Sequence, residues 1–320
     1  MAHGLVLIGL AAVSWGTTGS VMTVLGERAA ASPLMVGAAR LWIAAVLLLA
    51  ALVSTDRGHT RLARTADGCV RARGPRSDIW RCVLMGACMA GYQAAYFTAV
   101  TLSGIAVTAL VAICSAPLMI AAMAPLALGE RLEGRVRVAL GLGVGGTALL
   151  IAVPRGVPDL SARFVSGALL ALTAGLAYAL YVVLAKATLA RMAPLPLTAL
   201  TFTAGAVLLT PALLWTDAPF RQLALGWPWL LYLGAVATAG AYAIYGVGLR
   251  GVPASVAGIV TLLEPLTATF LGVLLFGERL GVGGILGGLL LVSALGLLTG
   301  RATPPASGRN CRSHGGARGS

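Results

Sequence analysis

Charge is what this chain has least of. Only 10% of its residues are Asp, Glu, Lys or Arg, and long stretches carry none: Leu5 to Gly26, Leu41 to Thr55, Val83 to Gly129, Val138 to Val153, Phe164 to Ala185, Met192 to Thr216, Gln222 to Leu249, Gly251 to Leu263 and Leu280 to Gly300. With 58% apolar residues in a chain of 320 and a mean hydropathy of +0.92, a soluble globular fold is excluded. Histidine is scarce as well, and His3, His59 and His314 all lie outside the apolar runs, which removes intramembrane His ligation or relay. The five cysteines form no C-x-x-C pair and read as small apolar thiols rather than metal or redox centres. Catalytic patterns are missing: there is no H-E-x-x-H, no G-x-S-x-G and no pair of intramembrane aspartates, and no P-loop for nucleotide hydrolysis. "GLGVGG", Gly141 to Gly146, echoes a nucleotide loop, but no strand precedes it and it sits in an apolar run, so it reads as helix packing surface.

What is present is a series of apolar segments, each near the roughly 20 residues that cross a bilayer as helix, or a simple multiple of them. The expected fold is all-α and polytopic, with ten crossings at Gly4–Gly26, Leu34–Ser54, Ile79–Leu102, Gly104–Leu128, Gly134–Val153, Phe164–Ala185, Leu195–Trp215, Gly226–Leu249, Val252–Phe276 and Gly281–Gly300. The first run is too long for a signal sequence and lacks a basic leader, so it is expected to be retained. An excess of 23 Lys and Arg over 10 Asp and Glu would suggest nucleic acid in a soluble protein. Here the basic residues lie between helices and act as topology signals: seventeen, from Arg57 to Arg318, fall in one set of loops and tails, against Arg28, Arg155, Arg163, Arg221 and Arg279 in the other. Both termini are therefore expected in the cytoplasm. The basic loop 55–78 is too short and polar for a domain, and the Pro, Gly, Ser and Arg-rich tail 301–320 has nothing apolar to pack.

The chain also repeats itself. "GERL" recurs at Gly129 and Gly277, and the same offset of 148 places Pro117 on Pro265, Gly86 on Gly234 and Ala106 on Ala254. An offset of 163 places Trp15 on Tyr178 and Thr18 on Tyr181. Two halves, 1–158 and 159–300, follow, each with five crossings. Five is odd, so the second half starts from the opposite side and the repeats are inverted, the architecture of secondary transporters whose substrate site lies near the midplane between the halves.

"SWGTTG" (Ser14 to Gly19), the arginine in "AARLWIAA" (Ala38 to Ala45) and "LLEPLTATFLGVLLFGERLGVGGILGGLLLVSALGL" near the C-terminus resemble the EamA family of the drug/metabolite transporter superfamily, in its ten-helix form with two EamA repeats. The resemblance covers about Gly4 to Gly300 and implies a transporter, with exporters of amino acids and other metabolites among the family. The Glu-Pro element occurs once: "CSAPLMIA" (Cys114 to Ala121) stands where the second half has "LLEPLTAT", so a scheme with two symmetric carboxylates is not expected.

Glu264 is the one carboxylate of a long apolar run, near its middle, and Pro265 follows it. Proline removes a backbone donor and opens the helix locally, so helix breaks are expected at Pro265 and at its counterpart Pro117. Burial disfavours the charged form, so Glu264 is placed to bind and release a proton or to hold a substrate ammonium; the blander reading is a carboxyl that satisfies backbone or a tyrosine hydroxyl at the kink. Arg40, about two turns into the second helix, is a clamp for a substrate carboxylate or a partner for Glu264, or else snorkels to the headgroups. Lys186 reads as a topology anchor. Trp15 with Thr18, Tyr92 and Gln93 with Tyr96, Tyr178 with Tyr181, and Tyr242 with Tyr245 recur at helical spacing on repeat mates, and are expected to wall a cavity for a small amphipathic solute; Ser115 beside Pro117 is a further candidate. Trp80, Trp227 and Trp229, at helix ends, fit interfacial belts. Glycine pairs Gly141 and Gly145, Gly283 and Gly287, and Gly284 and Gly288 are expected to let helices five and ten approach neighbours. The expected partners are a small solute, the lipid bilayer and protons, with no nucleic acid, cofactor or metal, and with monomer and homodimer both open. Arginine, alanine and glycine richness points to a bacterial inner membrane. An exporter working by alternating access is the leading expectation, and an intramembrane enzyme or sensor the alternative.

Overall fold

The computed structural model describes residues 1–62, 76–151, 161–276 and 281–299. The expectations for the tail 301–320 and for most of the loop 55–78 lie outside the described residues. Among those described there is no strand, and the chain runs through α1 (Ala2–Ala29, two segments meeting at Thr17), α2 (Pro33–Leu62), α3 (Arg76–Ser103), α4 (Ile105–Leu128), α5 (Gly134–Ile151), α6 (Ala162–Leu189), α7 (Pro194–Leu209, prolonged by a 3-10 turn Thr210–Trp215), α8 (Pro219–Gly251), α9 (Ala254–Val260 and Leu263–Phe276) and α10 (Val282–Thr299). Among the described residues eight stretches are long and apolar enough to cross a membrane, and Val282–Leu298 is a shorter apolar helix. The chain is a polytopic helical membrane protein. Helix-only architecture follows from the solvent: in lipid every backbone N–H and C=O must find its partner within the segment.

Several boundaries follow from proline. Pro33, Pro194 and Pro219 each open a helix, where the missing N–H is no loss. The eighth helix accordingly starts seven positions before the expected Gly226, at Pro219. The ninth departs further from expectation, because it is broken at Thr261–Leu262 rather than continuous.

Packing between helices has a twofold pattern. Exchanging the halves, so that α1 takes the place of α6 and so on in order, converts the α3–α6 contact into α8–α1, α4–α6 into α9–α1, and α3–α7 into α8–α2, all of which are present. The remaining large contacts, α5–α10, α2–α7 and α4–α9, each join a helix to its own mate. A helix that touches its mate lies beside the axis relating the halves, so these three pairs mark the seam. Leucine and valine side chains facing outward, among them Val6, Leu169, Leu274 and Leu289, are the ordinary surface of a protein solvated by lipid.

The α5–α10 seam corrects one expectation. A Cβ built on Gly146 would meet the Gly287 carbonyl oxygen at 2.7 Å, and one on Gly287 would meet that of Gly146 at 2.5 Å, whereas Gly141 and Gly145 face open space. The small-residue surface of α5 is thus Gly146 with Gly143, which abuts Leu262, and of the expected glycines Gly287 makes the close approach, while Gly283 and Gly288 have neighbours only at 3.8–3.9 Å. Without a hydrophobic force between helices in lipid, such approach is what holds them. Gly287→Val should lower the thermal unfolding midpoint in detergent, at a cost of about 1–3 kcal/mol for an overpacked contact, while Gly145→Ala should leave it unchanged; equal midpoints for both variants would refute this seam.

Candidate substrate site

The aromatic residues singled out in four helices form one connected cluster. Trp15 of α1 lies 4.7 Å from Tyr242 and 5.3 Å from Tyr245 of α8, and 6.4 Å, edge-on, from Tyr178 of α6. Tyr178 continues to Tyr181 at 6.1 Å and to Tyr92 of α3 at 6.0 Å, and Tyr92 to Tyr96 at 5.7 Å. Tyr181 closes the ring on Tyr242 at 5.9 Å. These separations suit offset or edge-to-face pairs. The cluster therefore stands where α1 and α8 of opposite halves meet α6 and α3. Phe202 of α7, 4.6 Å from Tyr242, is a member that helical spacing did not reveal, since it has no aromatic neighbour on its own face.

Glu264 enters from α9, and the local backbone explains how. Pro265 has no N–H to give the Thr261 carbonyl, which instead accepts from the Glu264 N–H at 2.9 Å in a tighter, three-residue turn. Leu262 N–H likewise bonds Ile259 O at 3.1 Å, and the Thr261 hydroxyl donates to Gly258 O at 2.8 Å. The break thus comes before the Glu-Pro pair, and Glu264 falls in the first turn of the second segment, where the helix dipole favours a carboxylate. Gly16 of α1 is pressed against this turn: a Cβ there would come within 2.7 Å of Glu264 O and 2.6 Å of Thr267 Cβ. Glu264 is half-buried, and among the described residues neither a hydrogen bond nor an ion pair occupies its carboxyl.

Arg40 is buried, 9% exposed, and its Nε donates to Thr238 Oγ1 at 2.9 Å. Snorkelling to the headgroups is not what the side chain does. Thr238 lies in a π-helical stretch of α8, Ala235–Gly240, and its hydroxyl in turn donates to Leu233 O at 2.7 Å. Such bulges turn a side chain out of the regular helical register, and no periodicity in the sequence foretold it. Arg40 makes no direct ion pair with Glu264. Its terminal nitrogens have no partner among the described residues.

Other candidates stand apart from the cluster. Thr18 is half-buried beyond the Thr17 kink, which separates it from Trp15; the kink is held by Thr17 Oγ1 donating to Ser14 O at 2.7 Å and paired with Tyr232 OH at 2.9 Å. Gln93 is buried beside Gly37 of α2, away from the Tyr92 and Tyr96 pair. Ser115 donates to its own helix at Ala112 O and abuts Gly175 of α6. Pro117 sits inside an unbroken α4, where it packs on Gly258, so the two halves differ in backbone as well as in sequence at the Glu-Pro position. Lys186, expected as an anchor, instead donates to three carbonyls at the end of α8, those of Leu249 (2.8 Å), Arg250 (3.2 Å) and Val252 (2.8 Å). Trp80 is exposed in the second turn of α3; because α8 starts at Pro219, Trp227 is exposed about two turns inside that helix rather than at its end, and Trp229 packs under Arg28 at 5.4 Å.

Several buried polar atoms make no hydrogen bond: Trp15 Nε1, Tyr178 OH and Tyr245 OH within the aromatic cluster, and Ser14 Oγ, Asp78 Oδ1, Thr147 Oγ1, Thr201 Oγ1 and Thr216 Oγ1 outside it. Buried polar groups are ordinarily satisfied, so the three in the cluster keep bonding capacity that the protein does not use. Among the described residues no cluster of His, Cys, Asp and Glu could hold a metal.

A helical bundle of two similar halves around a buried aromatic cluster fits a membrane transporter scaffold, and the comparisons agree. The chain belongs to the EamA-like transporter family, whose model matches residues 2–152 and 165–300, one repeat in each half. It is 36% identical over 297 residues to the "Uncharacterized transporter YwfM" of Bacillus subtilis, covering 92% of each chain. It is 29% identical over 202 residues to an "Uncharacterized transporter" of Archaeoglobus fulgidus, covering 63% of this chain and 70% of that one. A crystal structure 22% identical in sequence shares the fold at a TM-score of 0.77, over 93% of this chain and 97% of its own.

Two stability results follow from the hydrogen bonding. Thr238→Val should destabilise by about 1–3 kcal/mol, because it strands a buried Arg40 donor. Tyr178→Phe and Tyr245→Phe, which delete hydroxyls that bond nothing in the protein, should keep the parent midpoint in the same detergent melts. A large loss on Tyr245→Phe would contradict the unpartnered hydroxyl.

Proposed function

We propose that this protein is a secondary carrier that exports a small amine-bearing metabolite, such as an amino acid, or a drug-like solute, across the bacterial inner membrane, by alternating access and in exchange for protons. The observation that carries the reading is Glu264: a carboxyl with no protein partner among the described residues, at a helix break that packs on Gly16, next in sequence to Trp15 of the aromatic cluster, where the proposal places the substrate chamber. In this reading the solute ammonium and a proton compete for the same carboxyl. Binding of one releases the other, so a proton entering down its gradient expels the solute and the next solute expels the proton. Arg40, fixed by Thr238, offers its terminal nitrogens to a solute carboxylate, and Trp15, Tyr92, Tyr178 and Tyr242 offer faces to a cation or an apolar side chain.

The twofold exchange of contacts supports inverted halves, because five crossings each would set the second half upside down, and rocking such halves about a shared site exposes it to each side in turn. The arginine distribution supports cytoplasmic termini. No ATPase element is present in the sequence, so a gradient supplies the drive, and the lack of any catalytic constellation favours a carrier over an enzyme.

The test is flux in proteoliposomes containing the pure full chain, screened with radiolabelled amino acids, amines and toxic analogues with and without a proton gradient. Saturable flux of at least one solute, accelerated by the gradient, is expected, and Glu264→Gln should abolish the acceleration. Normal, equally pH-dependent flux in Glu264→Gln would end the proton role; no saturable flux for any solute in the screen would end the carrier.

A further inference from the structure

Away from the chamber, six hydrogen bonds from two charged side chains converge on the junction between α8 and α9. Glu130, just after α4, accepts from Ala254 N at 2.6 Å, Ser255 N at 3.1 Å and Ser255 Oγ at 2.8 Å. Lys186 of α6 supplies the other three, to the carbonyls that end α8. Each charge complements the helix end it holds: the carboxylate takes the free amides that open α9, and the ammonium takes the orphan carbonyls that close α8. The two charges also attract one another.

We propose that Glu130 and Lys186 form the gate on this face of the carrier, a latch that holds the α8–α9 junction shut and whose release opens the chamber to this side. The inference rests on the carrier reading. Glu130 belongs to the first half and the junction to the second, so its three bonds cross between the parts that alternating access must separate, while those of Lys186 lie within the second half and hold the junction in the shape that Glu130 grips. The latch also grips a short lever. Ala254–Val260, buried throughout, lies between the clamped junction and the Thr261–Leu262 break, and therefore swings without disturbing the turn that holds Glu264. Small sets of terminal residues that absorb such rotation are the usual hinges of domain closure.

The sequence builds the full latch once. The offset of 148 that aligns the two "GERL" elements puts Glu278, outside the described residues, in the place of Glu130, but Val107 in the place of Ser255; the offset of 163 puts Thr23 in the place of Lys186. The opposite face thus keeps the carboxylate and lacks both the hydroxyl and the ammonium. Closure of the Glu130 face is the favoured resting state, with the chamber open to the other side.

The reporter is Ala257→Cys, a fully buried position one turn inside the junction, in full-length protein with its native cysteines replaced, reacted in sealed vesicles with a membrane-impermeant maleimide from either face. Glu130→Gln and Lys186→Met should each speed labelling from the Glu130 face by about tenfold or more, since a charge-assisted bond shifts an equilibrium by at least that factor. Ser255→Ala, which removes one bond, should act in the same direction but less, and Lys186→Arg, which keeps the donors, should restore the parent rate. Unchanged labelling in all three loss variants, or labelling that rises equally from both faces, overturns the latch. Should the two charge variants not fold, Ser255→Ala and Lys186→Arg decide by the same criterion. Solute flux is read separately: flux with an unresponsive reporter sinks the latch alone, and a responsive reporter without flux sinks the carrier alone.

Discussion

A backbone surrounded by lipid cannot leave its amides and carbonyls unpaired, and the rest of this structure depends on how that rule is met where it is hardest to meet, in the interrupted α9. Pro265 withdraws a donor, the Glu264 N–H turns back to Thr261 O, and the Thr261 hydroxyl takes Gly258 O. These substitutions let a helix stop and restart inside the bundle without stranding the polar groups around the turn. The restarted helix puts its positive end against Gly16 of the other half, with Glu264 in its first turn. A continuous helix would have offered neither the dipole nor the close approach.

The same constraint explains why polar side chains here are so often used on their own backbone. Thr188, Thr198, Thr203, Thr210, Thr267 and Thr269 each bond a carbonyl one turn earlier, which satisfies the hydroxyl at no cost in helix–helix specificity. Against that background the groups that do something else stand out. Arg40 reaches Thr238 across helices, Thr17 meets Tyr232, and Tyr178, Tyr245 and Trp15 Nε1 meet nothing. In the aromatic cluster local satisfaction stops, as it does at Thr147, Thr201 and Thr216 elsewhere.

The two halves share a pattern of contacts but diverge at the positions that carry chemistry. Pro117 lies in an intact helix while Pro265 follows a break, and Thr238 sits in a π-helical stretch of α8, the mate of α3. In the carrier proposed above, similar halves let either side open, and unequal side chains let the two openings differ in energy.

Much of this was legible in the sequence because it rests on local chemistry. Apolar runs of bilayer length dictated helices, the repeat of "GERL" and the 148-residue offset dictated two halves, and tyrosines and tryptophan at helical spacing dictated faces that converge on one cluster. Glu264 stood out because lone charge in lipid is costly wherever the chain places it. Which glycine of α5 meets α10, where α9 breaks relative to its proline, whether Arg40 turns inward, and that Lys186 grips the end of α8 were decided only by the tertiary structure. Those outcomes depend on which neighbour, far away in the chain, arrives within hydrogen-bond or van der Waals distance, and spacing along one helix carries no record of its neighbours.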